Sequence, residues 1–509
     1  MKKHRFSALM LALLLLAQPL TAAAADSTEI PEAPLQEEAL TVPESPTGIL
    51  GTISQAMSTS ASACGLDADG SLTPADALDL DGEALLLLER NTGTVAYAKN
   101  IDQRREPASL TKVMTCLLAL ERGDLTAQIS ITEDALSTMD PDGSSAGLMA
   151  GETYTLEQLL YCLMVASAND AALVIADYIG GSQEGFVQMM NDRAAELGCT
   201  GTHFANPHGF HDDDHYTTAR DLAKIMEAAL EHQVFQEIYS TPSYELPATS
   251  QQDARTLTTT NYLISEEELS GYYDYRVVGG KTGFTTPAGR CVICVAEDET
   301  LSYLAVVLGA SATDEYGNPV FNSFATASEL FDYGFDELTL TDILQEWSSI
   351  TTVPVTDGEK DATLILPAAV QALLPYDYDS SLLSAAYTLP DQSLTAPLAA
   401  DTQVGTFGVY YGGTCIRQSP MIVAAEVPAV VTPTPASPSQ DAASNPGASA
   451  SRVIGTVLLV ILILILLAAL GLGILILRAQ IIRRKRRKRR QAQLASRRRR
   501  QSAARRPPR

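Results

Sequence analysis

Basic residues are scarce through most of this 509-residue chain. Between Asp26 and Arg452 only 16 Lys and Arg face all 61 Asp and Glu of the protein, a local net charge of −45. Such a segment repels nucleic acid and anionic lipid headgroups, which points to a soluble or wall-bound substrate. Cysteine is sparse and odd in number. The seven, Cys64, Cys116, Cys162, Cys199, Cys291, Cys294 and Cys415, are scattered through apolar segments, which argues against a disulfide framework and for burial as small apolar residues. Cys291 and Cys294 have the spacing of a redox or metal pair, but Arg290 to Ala296 reads as a strand, and residues three apart on a strand point to opposite faces. His211 and His215 stand four apart, but in a stretch with no helical pattern to bring them onto one face. His203, His208, His211 and His215 crowd around Asp212, Asp213 and Asp214, yet Asn206-Pro207-His208-Gly209 is turn chemistry, so the cluster reads as a loop without metal.

Charge is missing altogether from Val453 to Leu477, and acid from Arg478 to the end. The 25 uncharged residues make about 37 Å of helix at ~1.5 Å each, enough to span a bilayer with some tilt. Sixteen Lys and Arg follow, which places the tail over 478–509 in the cytoplasm as a stop-transfer anchor rather than a nucleic-acid binder. At the other end Lys2, Lys3 and Arg5 precede an apolar run from Phe6 to Leu16 and the small residues Ala23, Ala24 and Ala25, the pattern of a secretory signal peptide over 1–25. Everything between lies outside the membrane.

The length predicts two or three domains plus tails. Residues 26–75, acidic and rich in Ser, Thr, Pro and Ala, read as a disordered spacer, with structure starting near Gly82. A main domain over 76–345 begins with two strands, Ala84 to Glu89 and Thr94 to Lys99, around the turn Arg90-Asn91-Thr92-Gly93. Val113 to Leu120 has helical spacing, and Gly123 sits at the C-cap position. Thr155-Leu156-Glu157-Gln158 is a capping box opening a second helix, which breaks at Ser167-Ala168-Asn169 before a third over Ala171 to Ile179. Helices over Glu184 to Leu197, Thr218 to Leu230 and Phe321 to Tyr333 are expected, with strands over Val277 to Gly283, Arg290 to Ala296 and Leu301 to Leu308. Short alternating strands make 346–427 a small all-β domain, and 428–452 a Pro, Ser and Thr linker.

Ser109 and Lys112 stand three residues apart where the first helix begins, so an amine reaches a hydroxyl without a loop to position it. A desolvated lysine loses its proton near neutral pH and activates the serine, and first-turn amides point at any oxyanion formed there. Ser167-Ala168-Asn169 reads either as a helix cap or as part of a pocket between two buried helices. Lys281-Thr282-Gly283, on a glycine-flanked strand, offers a cation and a hydroxyl to a closely approaching ligand.

In this order the three motifs resemble those of the penicillin-binding proteins and serine β-lactamases. The flanks Pro107-Ala108-Ser109-Leu110-Thr111-Lys112, Ser167-Ala168-Asn169-Asp170-Ala171-Ala172, Asn206-Pro207-His208-Gly209 and Lys281-Thr282-Gly283-Phe284-Thr285-Thr286-Pro287-Ala288-Gly289 narrow this to the low-molecular-mass D-alanyl-D-alanine carboxypeptidases. The resemblance covers Gly82 to Glu426, the β domain included through Leu394-Thr395-Ala396-Pro397 and Gly405. The anchor departs from it, a spanning helix standing where many relatives carry an amphipathic one. The resemblance implies an α/β-type fold, a five-stranded antiparallel sheet from the two early and three late strands between helices. Ser109 attacks the carbonyl between two D-alanines of a peptidoglycan stem peptide, Lys112 takes its proton, and the amides of Ser109 and Phe284 hold the oxyanion. Ser167 relays a proton to the leaving D-alanine, Asn169 orients Lys112 and substrate, Lys281 supplies positive potential, and Thr282, beside Gly283, binds the terminal carboxylate. No metal or cofactor enters, and β-lactams act as inhibitors. A class A β-lactamase is the first rival, but its Glu-x-x-Leu-Asn pattern is absent. A catalytically dead wall-binding protein is the second, and the intact Ser109, Lys112, Ser167, Asn169, Lys281 and Thr282 argue against it.

Overall fold

The structure, a computed structural model, describes residues 53–55, 64–68, 70–266, 271–389 and 393–430. The expected signal peptide, spanning segment and basic tail, and nearly all of the linker, lie outside these residues. Among the described residues no helix is long and apolar enough to cross a membrane.

Strands β1 (Ala84–Glu89), β2 (Thr94–Lys99), β3 (Val277–Thr285), β4 (Gly289–Glu297) and β5 (Ser302–Ala310) form one antiparallel sheet in the order β2-β1-β5-β4-β3, as expected from two early and three late strands. All six residues of β1 are buried, because both faces of the sheet are covered. Leu86, Ile293 and Val306 face one core with helices α1 (Lys112–Arg122), α2 (Leu156–Val165), α3 (Asn169–Gly180), α4 (Gln183–Glu196), α5 (Ala219–Leu230) and α6 (Gln233–Tyr239). Leu85, Val292 and Val307 face a second core with Phe324, Leu330 and Phe331 of α7 (Asn322–Glu337). Cys291 lies in the first core and Cys294 in the second, on opposite faces as the strand period requires.

The capping box at the head of α2 is present: Thr155 Oγ1 accepts from the Gln158 amide and Gln158 Oε1 from the Thr155 amide. Gly123 follows α1 in an extended conformation with φ −100° instead of the left-handed one. Glycine is needed there for space, since a Cβ would stand 2.2 Å from Leu156 Cδ2 and 2.8 Å from the Ala119 carbonyl oxygen. Ordered structure also starts earlier than Gly82. Leu72 and Thr73 donate their amides to the carbonyls of Val95 and Ala96, and Leu72 and Leu80 are buried, so a few apolar anchors in an otherwise polar stretch tie this strap to β2.

The trailing domain is all β, as expected. Strands β6 (Leu338–Leu344), β7 (Ser349–Val353), β8 (Ala362–Ile365), β9 (Val370–Pro375), β10 (Leu383–Thr388), β11 (Gln403–Tyr411) and β12 (Thr414–Val423) form a β6-β9 pair and a larger sheet. The larger sheet runs β10-β11-β12-β8-β7, with Ile53–Gln55 added in parallel at the β10 edge. Those three residues fall in the stretch read as a disordered spacer. Leu373, Phe407 and Ile416 of this domain continue the second core beneath α7.

Candidate active site

The site sits where the edge strand β3 passes the head of α1. Residues Ala108–Thr111 form a 3-10 turn, and the α-helix proper begins only at Lys112. Ala108, the residue before the serine, holds the left-handed region at φ +46°, a conformation an L side chain adopts only when its surroundings impose it. The Thr111 hydroxyl donates to the Ala108 carbonyl at 2.8 Å and lies 2.8 Å from His215 Nε2. His215 Nδ1 accepts the Ala205 amide at 3.0 Å, so the neutral ring carries its proton on Nε2 and donates it to Thr111. Burial pushes the His215 pKa down to about 4, which keeps the ring neutral.

Lys112 is fully buried. Its Nζ is 2.7 Å from Asn169 Oδ1, 2.7 Å from the His208 carbonyl oxygen and 2.9 Å from Ser109 Oγ. The first two are obligate acceptors in this arrangement. A neutral amine gives them its two N–H groups and aims its lone pair at the Ser109 hydroxyl, so this geometry is satisfied with lysine uncharged. The electrostatics agree: burial first, then the nearby Lys281 charge, hold Lys112 well below the ordinary lysine range, against the opposing field of Asp170.

Ser167 closes the break between α2 and α3, also left-handed at φ +58°. Lys281, itself fully buried, donates to Ser167 Oγ at 2.8 Å and to the Thr282 carbonyl at 2.8 Å. Burial lowers its pKa to about 7. The two strained residues of the site are thus the two that present its serines.

Five of the eight residues singled out in the sequence are joined directly: Ser109, Lys112 and Asn169 by one set of hydrogen bonds, Ser167 and Lys281 by another. Gly283 is tightly enclosed: a Cβ would lie 3.0 Å from the Pro107 carbonyl oxygen and 3.1 Å from the Ser109 nitrogen, so its neighbours would have to give by a few tenths of an ångström. Thr282 Oγ1 is 2.5 Å from Thr260 Oγ1, a partner the sequence did not suggest. Phe284 is exposed, its ring 4.4 Å from the Arg290 guanidinium.

Other contributors were seen in the sequence without their role. The turn at Asn206–Phe210 ties itself off through Asn206, whose Oδ1 accepts from Gly209 at 2.7 Å and whose Nδ2 donates to the Phe210 carbonyl at 2.9 Å. It presses on α1, where Thr115 donates to the Pro207 carbonyl at 2.6 Å. The histidines act through backbone and ring as packing and hydrogen-bonding parts, and among the described residues no group of three His, Cys, Asp or Glu is placed to hold a metal ion. Asp170, just after the Ser-Ala-Asn motif, accepts from Ser145 and from the amides of Ala146 and Leu148, which pins the 144–148 loop over the site. An acidic residue in a first helical turn was the available signal.

Residues 71–312 match the family described as D-alanyl-D-alanine carboxypeptidase, and residues 339–429 match the C-terminal domain of penicillin-binding protein 5. D-alanyl-D-alanine carboxypeptidase DacA of Escherichia coli strain K12 is 30% identical over 359 residues, covering 69% of this chain and 84% of that protein. DacF of Bacillus subtilis strain 168 is 29% identical over 347 residues, 67% of this chain and 84% of its own. Among solved structures, penicillin-binding protein 5 from Haemophilus influenzae superposes with a TM-score of 0.57 at 27% identity, covering 70% of this chain and all of that one.

Proposed function

We propose a reaction from the premise that this chain belongs to the D-alanyl-D-alanine carboxypeptidase family and is an enzyme of that type. The chain removes the terminal D-alanine from peptidoglycan stem pentapeptides through an acyl-enzyme on Ser109, and β-lactams trap it at the acyl stage. The observation that carries this reading is the buried Lys112 Nζ standing 2.9 Å from Ser109 Oγ, with burial holding the amine well below the ordinary lysine range.

The serine proton passes to Lys112 as Oγ attacks the carbonyl between the two D-alanines. The oxyanion forms against the amides of Ser109 and Phe284, and the close approach of Gly283 to the Ser109 nitrogen supports that pairing. Lys281, charged below about pH 7, polarises the Ser167 hydroxyl, which gives its proton to the departing D-alanine amine and takes in its place the one Lys112 received from Ser109. Thr282, on the same edge strand, takes the terminal carboxylate, and water then frees the shortened peptide. Asn169 holds Lys112 in line and offers its amide to the substrate.

The anchor belongs to this proposal as well. The uncharged run over 453–477 and the basic tail after it support a single-pass protein with its catalytic domain outside the membrane and its tail in the cytoplasm. The leader over 1–25 supports the same topology. Protease applied to intact cells is expected to spare a tag after Arg509, and cleavage of that tag reverses the assignment.

Incubation with a defined pentapeptide, read by mass spectrometry, tests the reaction. Release of one D-alanine per peptide, with slow turnover of penicillin, is expected. Rapid penicillin hydrolysis with intact pentapeptide makes the chain a β-lactamase instead.

A further inference from the structure

Five of the seven cysteines are sealed in the cores: Cys116, Cys162, Cys291 and Cys294 are at most 1% exposed and Cys199 5%. Burial pushes all five thiols up, Cys199 and Cys291 to about 12. The remaining two meet each other from opposite ends of the described chain. Cys64, half-buried, precedes the short 3-10 turn Gly65–Asp67, and Cys415 is the second residue of β12, paired with Tyr410 across the hairpin. Both stand beside the turn between β1 and β2: Gly65, next to Cys64, packs on the Gly93 carbonyl, while the Thr94 hydroxyl donates to the carbonyl of Ile416, next to Cys415, at 2.5 Å.

The surrounding backbone fixes this meeting. Gly65 lies so close to the turn after β1 that a Cβ would be 2.5 Å from the Gly93 carbonyl oxygen, and Gly70 faces the Thr414 side chain. Arg417, held by donation to the carbonyls of Asn91 and Thr92, turns its positive field on Cys64. The neighbouring Cys415 thiol first, and then this field, hold the Cys64 thiol below its ordinary range, while Cys415 is pushed up and keeps its proton.

We propose that Cys64 and Cys415 are an oxidisable pair that forms an intramolecular disulfide, bridging the strap before the catalytic domain to the C-terminal β domain, while the five sealed cysteines stay reduced. The oxidant is a small disulfide such as oxidised glutathione. The Cys64 thiolate attacks one of its sulfurs, forming a mixed disulfide and expelling one thiolate. Cys415 then gives up its proton and attacks the Cys64 sulfur, expelling the second. Two protein thiols are oxidised as one disulfide is reduced to two thiols. The bridge fastens the strap, which lies along β2, to the β11-β12 hairpin.

The full-length protein is incubated with oxidised glutathione, denatured, alkylated and mapped by mass spectrometry. Five alkylated cysteines are expected in place of seven, with one cross-linked peptide pair containing Cys64 and Cys415 and lacking two hydrogens. Cys415→Ser is expected to stop at the mixed disulfide, with glutathione on Cys64, and Cys64→Ser to keep six alkylatable thiols. Seven alkylated cysteines in the oxidised wild type, or a bridge between any other pair or between two chains, overturns the proposal.

Discussion

Gly209→Ala should disable the nucleophile without touching it. Gly209 is left-handed at φ +88°, and a methyl group there would stand 1.8 Å from the Ala108 carbonyl oxygen and 2.8 Å from Thr111 Oγ1. Real contacts of this kind stop near 3.0 Å, so one side must retreat by about 1.2 Å. Neither side is free to do so. The Ala108 carbonyl is held by the Thr111 hydroxyl at 2.8 Å and leads straight into Ser109, while the Gly209 side carries the His208 carbonyl, 2.7 Å from Lys112 Nζ. Whichever yields, the distance between Ser109 and its base changes. A misplacement of about 1 Å costs on the order of 100-fold in rate, and the left-handed backbone adds ~1 kcal/mol of destabilisation. Stopped-flow acylation by a fluorescent penicillin, with thermal unfolding of the same sample, reads both. The expected result is acylation slowed about 100-fold with a Tm lowered by roughly 2–4 °C. A folded variant acylating within about threefold of the parent refutes the argument that this turn sets the serine.

Lys112→Ala should fold and still bind ligand but acylate at least ~100-fold more slowly, since general-base help is worth about that much, as measured by burst kinetics with penicillin. The pH profile of peptide turnover should be bell-shaped. Activity falls as pH drops through the depressed Lys112 pKa, because the base becomes protonated, and KM rises as pH climbs through about 7, where Lys281 loses its charge. A flat alkaline limb would remove Lys281 from substrate binding. His215→Ala should cost ~1–2 kcal/mol of stability through the buried Thr111 hydroxyl and slow acylation, with His215→Gln partly restoring both if it offers the same donor and acceptor. Equal acylation rates in wild type and both variants would leave His215 a packing residue only.

The sheet strands themselves were legible in the sequence because apolar runs and turn residues are local signals, whereas their assembly into one five-stranded antiparallel sheet came from the family resemblance and their order from the structure. The same holds for α1 to α3, whose 3.6-residue period is local, with a capping box added at the head of α2. Less legible was whatever depends on contacts distant in sequence. Leu72 and Leu80 look like stray apolar residues in a polar stretch until β2 and the second core receive them. Gly123 reads as a left-handed cap, but crowding by Leu156 and Ile179 is what demands glycine there. In the site, Ser109, Lys112, Ser167, Asn169 and Lys281 stand out as motifs. The His215–Thr111–Ala108 chain does not, because a histidine in an acidic loop carries no sign that its ring will reach a residue of α1's leading turn. Cys64 and Cys415 look in the sequence like buried apolar residues for the same reason: their meeting depends on where the strap and the hairpin converge.

The central claim is that Ser109 is the residue acylated, with Lys112 as its base. Peptide mapping after brief exposure to penicillin tests it most directly. The account predicts one adduct, on the peptide carrying Ser109, present in the wild type and absent in Ser109→Ala. An adduct on any other residue, or undiminished labelling of Ser109→Ala, contradicts it.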